Sequence, residues 1–175
     1  MKGRLNSLAL VGLVSLIAGC SHTYTPSVYN IKDVKIPDLN VKGTVDYVNN
    51  QEDIETKFVE ASGHKWAYNN KEVTDGFNTL LEKEISVRDL KSGDGDAKKL
   101  VSKVNEIDCT VGFGSYVRNC KISVEIEMGD GNIVNIDSTQ GSPIFNAMEG
   151  SLDGTIAIAV IEALKHPEIV SYLEM

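Results

Sequence analysis

Between Ile107 and Ser138 apolar and polar residues alternate more strictly than elsewhere in the chain. Ile107, Cys109, Val111 and Phe113 fall on one side of an extended segment, Gly114-Ser115 can turn it, and Cys120, Ile122, Val124, Ile126 and Met128 fall on one side of the next. Gly129-Asp130-Gly131-Asn132 supplies a second turn and Ile133 to Ser138 a third strand. A period of two broken by glycine-rich turns marks half-buried antiparallel strands, so a three-strand meander is predicted. Lys121, Ser123, Glu125 and Glu127 occupy the other side of the middle strand, which makes that face the wet one. Upstream, Val41, Val45 and Tyr47 alternate with Lys42, Thr44 and Asp46, and Thr56 to Ala61 follows an Asn49-Asn50 turn, which predicts two further strands.

Elsewhere the period changes to that of helices. Phe77, Leu80, Leu81 and Ile85 form one stripe, with Thr74 as the expected N-cap and Asp75 at the positive end of the dipole. Ser92 to Asp96 reads as a turn whose Asp96 caps a short helix over Ala97 to Val104. Gly141-Ser142-Pro143 predicts the start of a long helix carrying Ile144, Met148, Leu152, Ile156, Ala159 and Ala163, weakened at Gly150 and Gly154, where it can approach the sheet closely. Pro167 opens a last short helix with Ile169, Val170, Tyr172 and Leu173. The fold class expected is α+β: a two-layer sandwich in which an antiparallel sheet with a three-strand meander carries helices packed on one face.

The amino end obeys neither period. Lys2 and Arg4 precede an apolar run from Leu8 to Ala18, about half of what a membrane span needs, so residues 1–19 read as a signal peptide. Leu16-Ile17-Ala18-Gly19-Cys20 resembles the lipobox of bacterial lipoproteins. That resemblance implies cleavage before Cys20, diacylglycerol on its sulfur and an acyl chain on its nitrogen. Several acyl chains anchor stably where one would be marginal. Ser21, not Asp, follows the cysteine, which by the same resemblance implies the periplasmic leaflet of the outer membrane. The Thr-, Ser- and Asn-containing stretch that follows, with two prolines, reads as a flexible tether, so residues 20–40 are anchor and tether and residues 41–175 one periplasmic domain. Ile31, Val34 and Ile36 also suit an edge strand closed by Pro37, and both readings stand.

Charge narrows the partners. With 25 acidic against 17 basic side chains and a net charge of −8, no basic field exists for nucleic acid or for an anionic membrane surface. Membrane contact is therefore expected through the lipid on Cys20 alone. Reflecting the first hairpin about Gly114-Ser115 places Cys109 opposite Cys120, and in an oxidising compartment a disulfide between them is expected. Two reduced core thiols are the rival reading; a redox-active pair lacks a Cys-X-X-Cys. His64, Trp66 and Tyr68 share one face of an extended segment and are candidate partner-binding residues, with a tryptophan that closes the core as the alternative. His64 has no second metal ligand at a recognisable spacing, and Ser92 to Asp96 lacks the rest of a calcium loop, so no metal site is expected.

The lipobox, the helix from Thr74 to Arg88 with Leu80-Leu81, the meander and the closing Ala159 to Leu173 stretch together resemble YajG-type periplasmic lipoproteins. They resemble more loosely the auxiliary lipoproteins of envelope ABC transporters. No nucleophile elbow, zinc-protease helix or phosphate loop is present, so no enzyme is expected, and neither a cofactor nor a small-molecule substrate is assigned. The expected function is that of a non-enzymatic binding or assembly module of the cell envelope with a protein partner, edge-strand addition being the natural mode. The alternative is a lipid-handling auxiliary subunit of an envelope ABC transport system, which requires an apolar groove between sheet and helices.

Overall fold

The computed structural model describes residues 21–27, 29–31, 36–52, 54–61, 64–89, 95–144 and 146–175; the expected signal peptide and Cys20 lie outside them. Along the chain run β1 (Ser21–Thr23), β2 (Val45–Asn49), β3 (Lys57–Ala61), β4 (His64–Tyr68), α1 (Asn70–Arg88), β5 (Lys98–Val111), β6 (Val117–Met128), β7 (Ile133–Pro143), α2 (Met148–Lys165) and α3 (Pro167–Glu174). The class is α+β, as expected, with two sheets ordered β2-β5-β6-β7 and β1-β4-β3. The meander is antiparallel with Cys109 opposite Cys120, but β2 runs parallel to β5, so the larger sheet is mixed.

The helix expected over 97–104 is instead the first half of β5, paired to β2 on one side and β6 on the other. A bulge between Val104 and Glu106 shifts the side-chain parity. Leu100, Ser102 and Val104 point inward before it, and Ile107 and Cys109 after it. Counting back from Ile107 in twos therefore lands on Asn105, Lys103 and Val101, which hides the strand. The bulge also frees backbone groups, and side chains satisfy them: the Val104 amide donates to Thr74 Oγ1 at 3.1 Å, and its carbonyl accepts from Gln51 Nε2 at 2.7 Å. Thr74 is thus a helix-interior residue serving the sheet. The N-cap of α1 is Asn69, whose side chain accepts from the Glu72 amide at 2.8 Å.

Gly141-Ser142-Pro143 does not open a helix; it closes β7, with proline at the strand's end. α2 starts at Met148 and leaves Ile144 outside its stripe. Pro167 does occupy the first turn of α3, as expected. Tyr172 on α3 accepts from the amides of Lys99 (2.9 Å) and Gly129 (3.1 Å), which pins this helix to the second turn of the meander. α2 packs on β6 and β7, and α1 on β5 and β2. Between them lie Leu100, Ile122, Val124, Ile126, Met128, Phe77, Leu80, Leu81, Leu152, Val160 and Leu164, all buried. Each such side chain contributes roughly 1.5–3 kcal/mol by leaving water.

Candidate functional site

The segment expected to hang free as a tether is laid on the body. β1 pairs in parallel with β4, and the Tyr24 amide continues the ladder to Ala67 O at 2.8 Å. Tyr24, Ile31, Ile36 and Leu39 are buried. The Tyr24 hydroxyl donates to Asp153 Oδ1 at 2.7 Å, the Ser27 amide donates to the same oxygen at 3.1 Å, and Ser27 Oγ donates to Oδ2. Burial first, then the hydrogen bond to Asp153, raises the Tyr24 phenol well above its ordinary value. Pro26 lies so close to α1 that a Cβ on Gly76 would collide with its ring. Four apolar side chains and one buried carboxylate outweigh the polar composition that suggested a tether.

The face of three rings is only partly as expected. The backbone of His64 begins β4, while its side chain lies outside the described set. Trp66 and Tyr68 do share a face, but it is the inner one. Tyr68 is buried and its hydroxyl donates to Ile107 O at 2.9 Å, and Trp66 is stacked under His22 with ring centroids 4.4 Å apart. The register of Val59 opposite Trp66, with Val59 buried, turns this face toward the core. Tyr68 is thus a core residue, whereas Trp66 is half-buried between the core and the His22 ring.

What the molecule does expose is the β5–β6 hairpin beyond the disulfide. Cys109 and Cys120 are bonded, with Cα atoms 4.0 Å apart, and both are buried. Past them Val111, Phe113, Tyr116 and Val117 are exposed, so the alternation that placed Val111 and Phe113 in the core outruns the helices that would cover it. Beside this tip, on the inner face of β6, Arg118 donates through Nη1 to Asn146 O (3.3 Å) and Ser151 Oγ (3.0 Å), while Ser151 Oγ lies 2.7 Å from Ser142 Oγ. Burial lowers the Arg118 guanidinium from its ordinary value.

β7 supplies the second exposed feature. It is 11 residues long and ends the four-stranded sheet, with no strand beyond it among the described residues. Asp137 is its only charged residue, and no proline or lysine interrupts it before Pro143. Edge strands are ordinarily guarded by such residues. The sequence hid both this length and Arg118, because Gly-Ser-Pro carries the signature of a helix start and a lone arginine near a turn reads as surface. Asp153 left a signal: it is a carboxylate on a face of α2 otherwise filled by Ile156, Ala157 and Val160.

Among the clefts lined by described residues are one of about 250 Å³ and one of about 260 Å³. The first is bounded by Pro26, Ser27, Asp75 and Gly76, and the second by Asp130, Asn132, Glu168 and Tyr172; neither is an apolar groove between sheet and helices. Among the described residues no three His, Cys, Asp or Glu side chains gather as metal ligands, and no helix is long and apolar enough to cross a membrane.

No family model matches the chain, and no curated protein matches it. Several solved structures are similar in shape, two of them as follows. One is protein XCC0632 from Xanthomonas campestris, of the family DUF330, with a TM-score of 0.44 and 12% identity over 89% of this chain and 96% of that one. The other is described only as an uncharacterized protein, with a TM-score of 0.34 and 7% identity over 83% of this chain and 95% of that one.

Proposed function

We propose that this protein is a lipid-anchored lipoprotein of the outer membrane's periplasmic leaflet that works by recognition: a binding or assembly module to whose β7 edge an extended segment of an envelope protein adds as a further strand. The observation that carries this reading is the unguarded 11-residue edge of β7. Main-chain hydrogen bonds give such a contact its affinity, and alternate side chains its specificity. On the solvent face of β7 stand Ile133, Asn135, Asp137 and Thr139, next to Glu125 and Glu127 of β6. In a chain of net charge −8 this favours a partner strand with apolar and basic residues in alternation. The exposed apolar tip at Phe113 extends the same surface at one end.

A photo-crosslinking amino acid at Thr139 in cells tests this reading. A discrete envelope protein should be captured, and Asn135→Lys with Asp137→Lys, which guard the edge without touching the core, should remove the product. Capture that persists in the lysine variant argues against strand addition. The anchor is tested separately: Cys20→Ala should abolish fatty-acid labelling and retention in the membrane fraction, and continued labelling overturns the lipoprotein reading.

A further inference from the structure

The hairpin end of the inner face holds a positive charge with no negative one to meet it. Arg118 is 4% exposed. Its two hydrogen bonds both come from Nη1, to Asn146 O and Ser151 Oγ, and Nε is buried without a partner. Among the described residues no carboxylate pairs with it. Asp153 is taken by Tyr24 and Ser27, and Glu149 is exposed on the first turn of α2. A desolvated cation left without an anion is costly, so an unmatched one asks what completes it.

The unused edge of the guanidinium, Nε with Nη2, is the fork that grips an oxyanion through two parallel N–H···O bonds. Its position matters as much as its chemistry. The two acceptors of Nη1 lie in the turn before α2 and in the helix's first turn. The N-cap of this 18-residue helix is Ala147, which offers no side-chain acceptor. The first-turn amides and the positive end of the helix dipole thus have no side-chain cap, and the two acceptors that hold Nη1, Asn146 O and Ser151 Oγ, flank that turn. Gly150 adds no bulk there, since a Cβ on it would meet nothing within 4 Å. A carboxylate would spend both oxygens on the fork, whereas a phosphate has further oxygens for the helix amides.

We propose that Arg118 and the amino end of α2 form a binding site for a phosphate group, either free or carried by a lipid headgroup. The site is independent of the β7 edge, and its failure would leave the strand-addition reading untouched.

Thermal unfolding of the full chain, titrated at constant ionic strength with inorganic phosphate or with soluble glycerophosphoglycerol, tests it. A saturable rise in Tm with either compound is expected, and the tighter of the two identifies the source: glycerophosphoglycerol a headgroup, inorganic phosphate the free ion. Arg118→Lys keeps the charge without the fork and should weaken binding at least tenfold. Gly150→Asp adds a carboxylate to the first turn of α2, where a Cβ meets nothing within 4 Å, and should weaken binding by a similar factor while the protein stays folded, so it decides the matter even if the lysine variant unfolds. No saturable response to either compound, or wild-type affinity in Gly150→Asp, overturns the proposal.

Discussion

The two ends of the meander's inner face are built on different principles. Toward the second turn, Ile122, Val124, Ile126, Met128, Val134 and Ile136 line the sheet. Toward the hairpin tip, the same inward positions hold Arg118, Ser138, Gln140 and Ser142, and α2 answers them with Ser151, Gly154 and Thr155. A Cβ at Gly154 would run into the Gln140 amide, so glycine there makes room for a polar side chain. Several of these groups go unsatisfied: Ser138 Oγ, Gln140 Oε1 and Arg118 Nε have no hydrogen-bond partner among the described residues. One end is packed for stability. The other keeps polar groups that stability alone would discard, and it is braced by the disulfide and by the N-terminal segment held on Asp153.

This contrast can be measured. The largest effect belongs to the apolar end, where Ile126→Ala should cost about 2–5 kcal/mol in urea unfolding, because it leaves a cavity in a fully buried layer. A loss under 1 kcal/mol would mean that this end is no better packed than the other. At the hairpin end, replacing both Cys109 and Cys120 by Ala should cost about 2.5–3 kcal/mol in the chain-entropy account for so short a loop. Reductant should lower the stability of the native protein by the same amount and leave the double variant unchanged.

Tyr24→Phe should cost about 1.5–2 kcal/mol near neutral pH through loss of the bond to Asp153. It should also change the alkaline limb. The phenol is raised in the folded state, so the unfolded chain releases its proton first as pH climbs past about 10. Stability is therefore complete below that point and falls above it, and the fall should be shallower in the Phe variant. It should not vanish, because burial, with Glu82 and Asp89 nearby, raises Tyr47 in the same direction. Unfolding free energies at pH 8 and 11 check this. The smallest effect is expected at Ser138→Ala. Removing a buried hydroxyl with no hydrogen-bond partner among the described residues should change stability by less than about 0.5 kcal/mol or raise it slightly, whereas a loss beyond about 1 kcal/mol would reveal a partner.

Legibility along the chain followed the length over which one period persists. The strand from Cys120 to Met128 alternates without a break, and its register against Cys109 could be counted off a turn. The first half of β5 could not be read this way, since one extra residue at the bulge reverses the parity, and Val104 then takes its hydrogen bonds from Gln51 and Thr74, far away in sequence. The ring face at Trp66 and Tyr68 shows a second limit: a shared side of a strand is legible, but which side meets the core is not.

The amino-acid order alone determined the elements whose cause is local: the two glycine turns, the meander and its cysteine pairing, the stripe of α1, and proline opening α3. Tertiary structure decided whatever depends on a neighbour remote in the chain. A polar segment after residue 20 became a packed strap because Asp153 and Gly76 wait for Tyr24, Ser27 and Pro26. Arg118 became a buried cation because α2 begins over it, and β7 became an edge because nothing described lies beyond it. Periodicity reports the faces of an element, whereas burial and charge pairing are properties of what those faces meet.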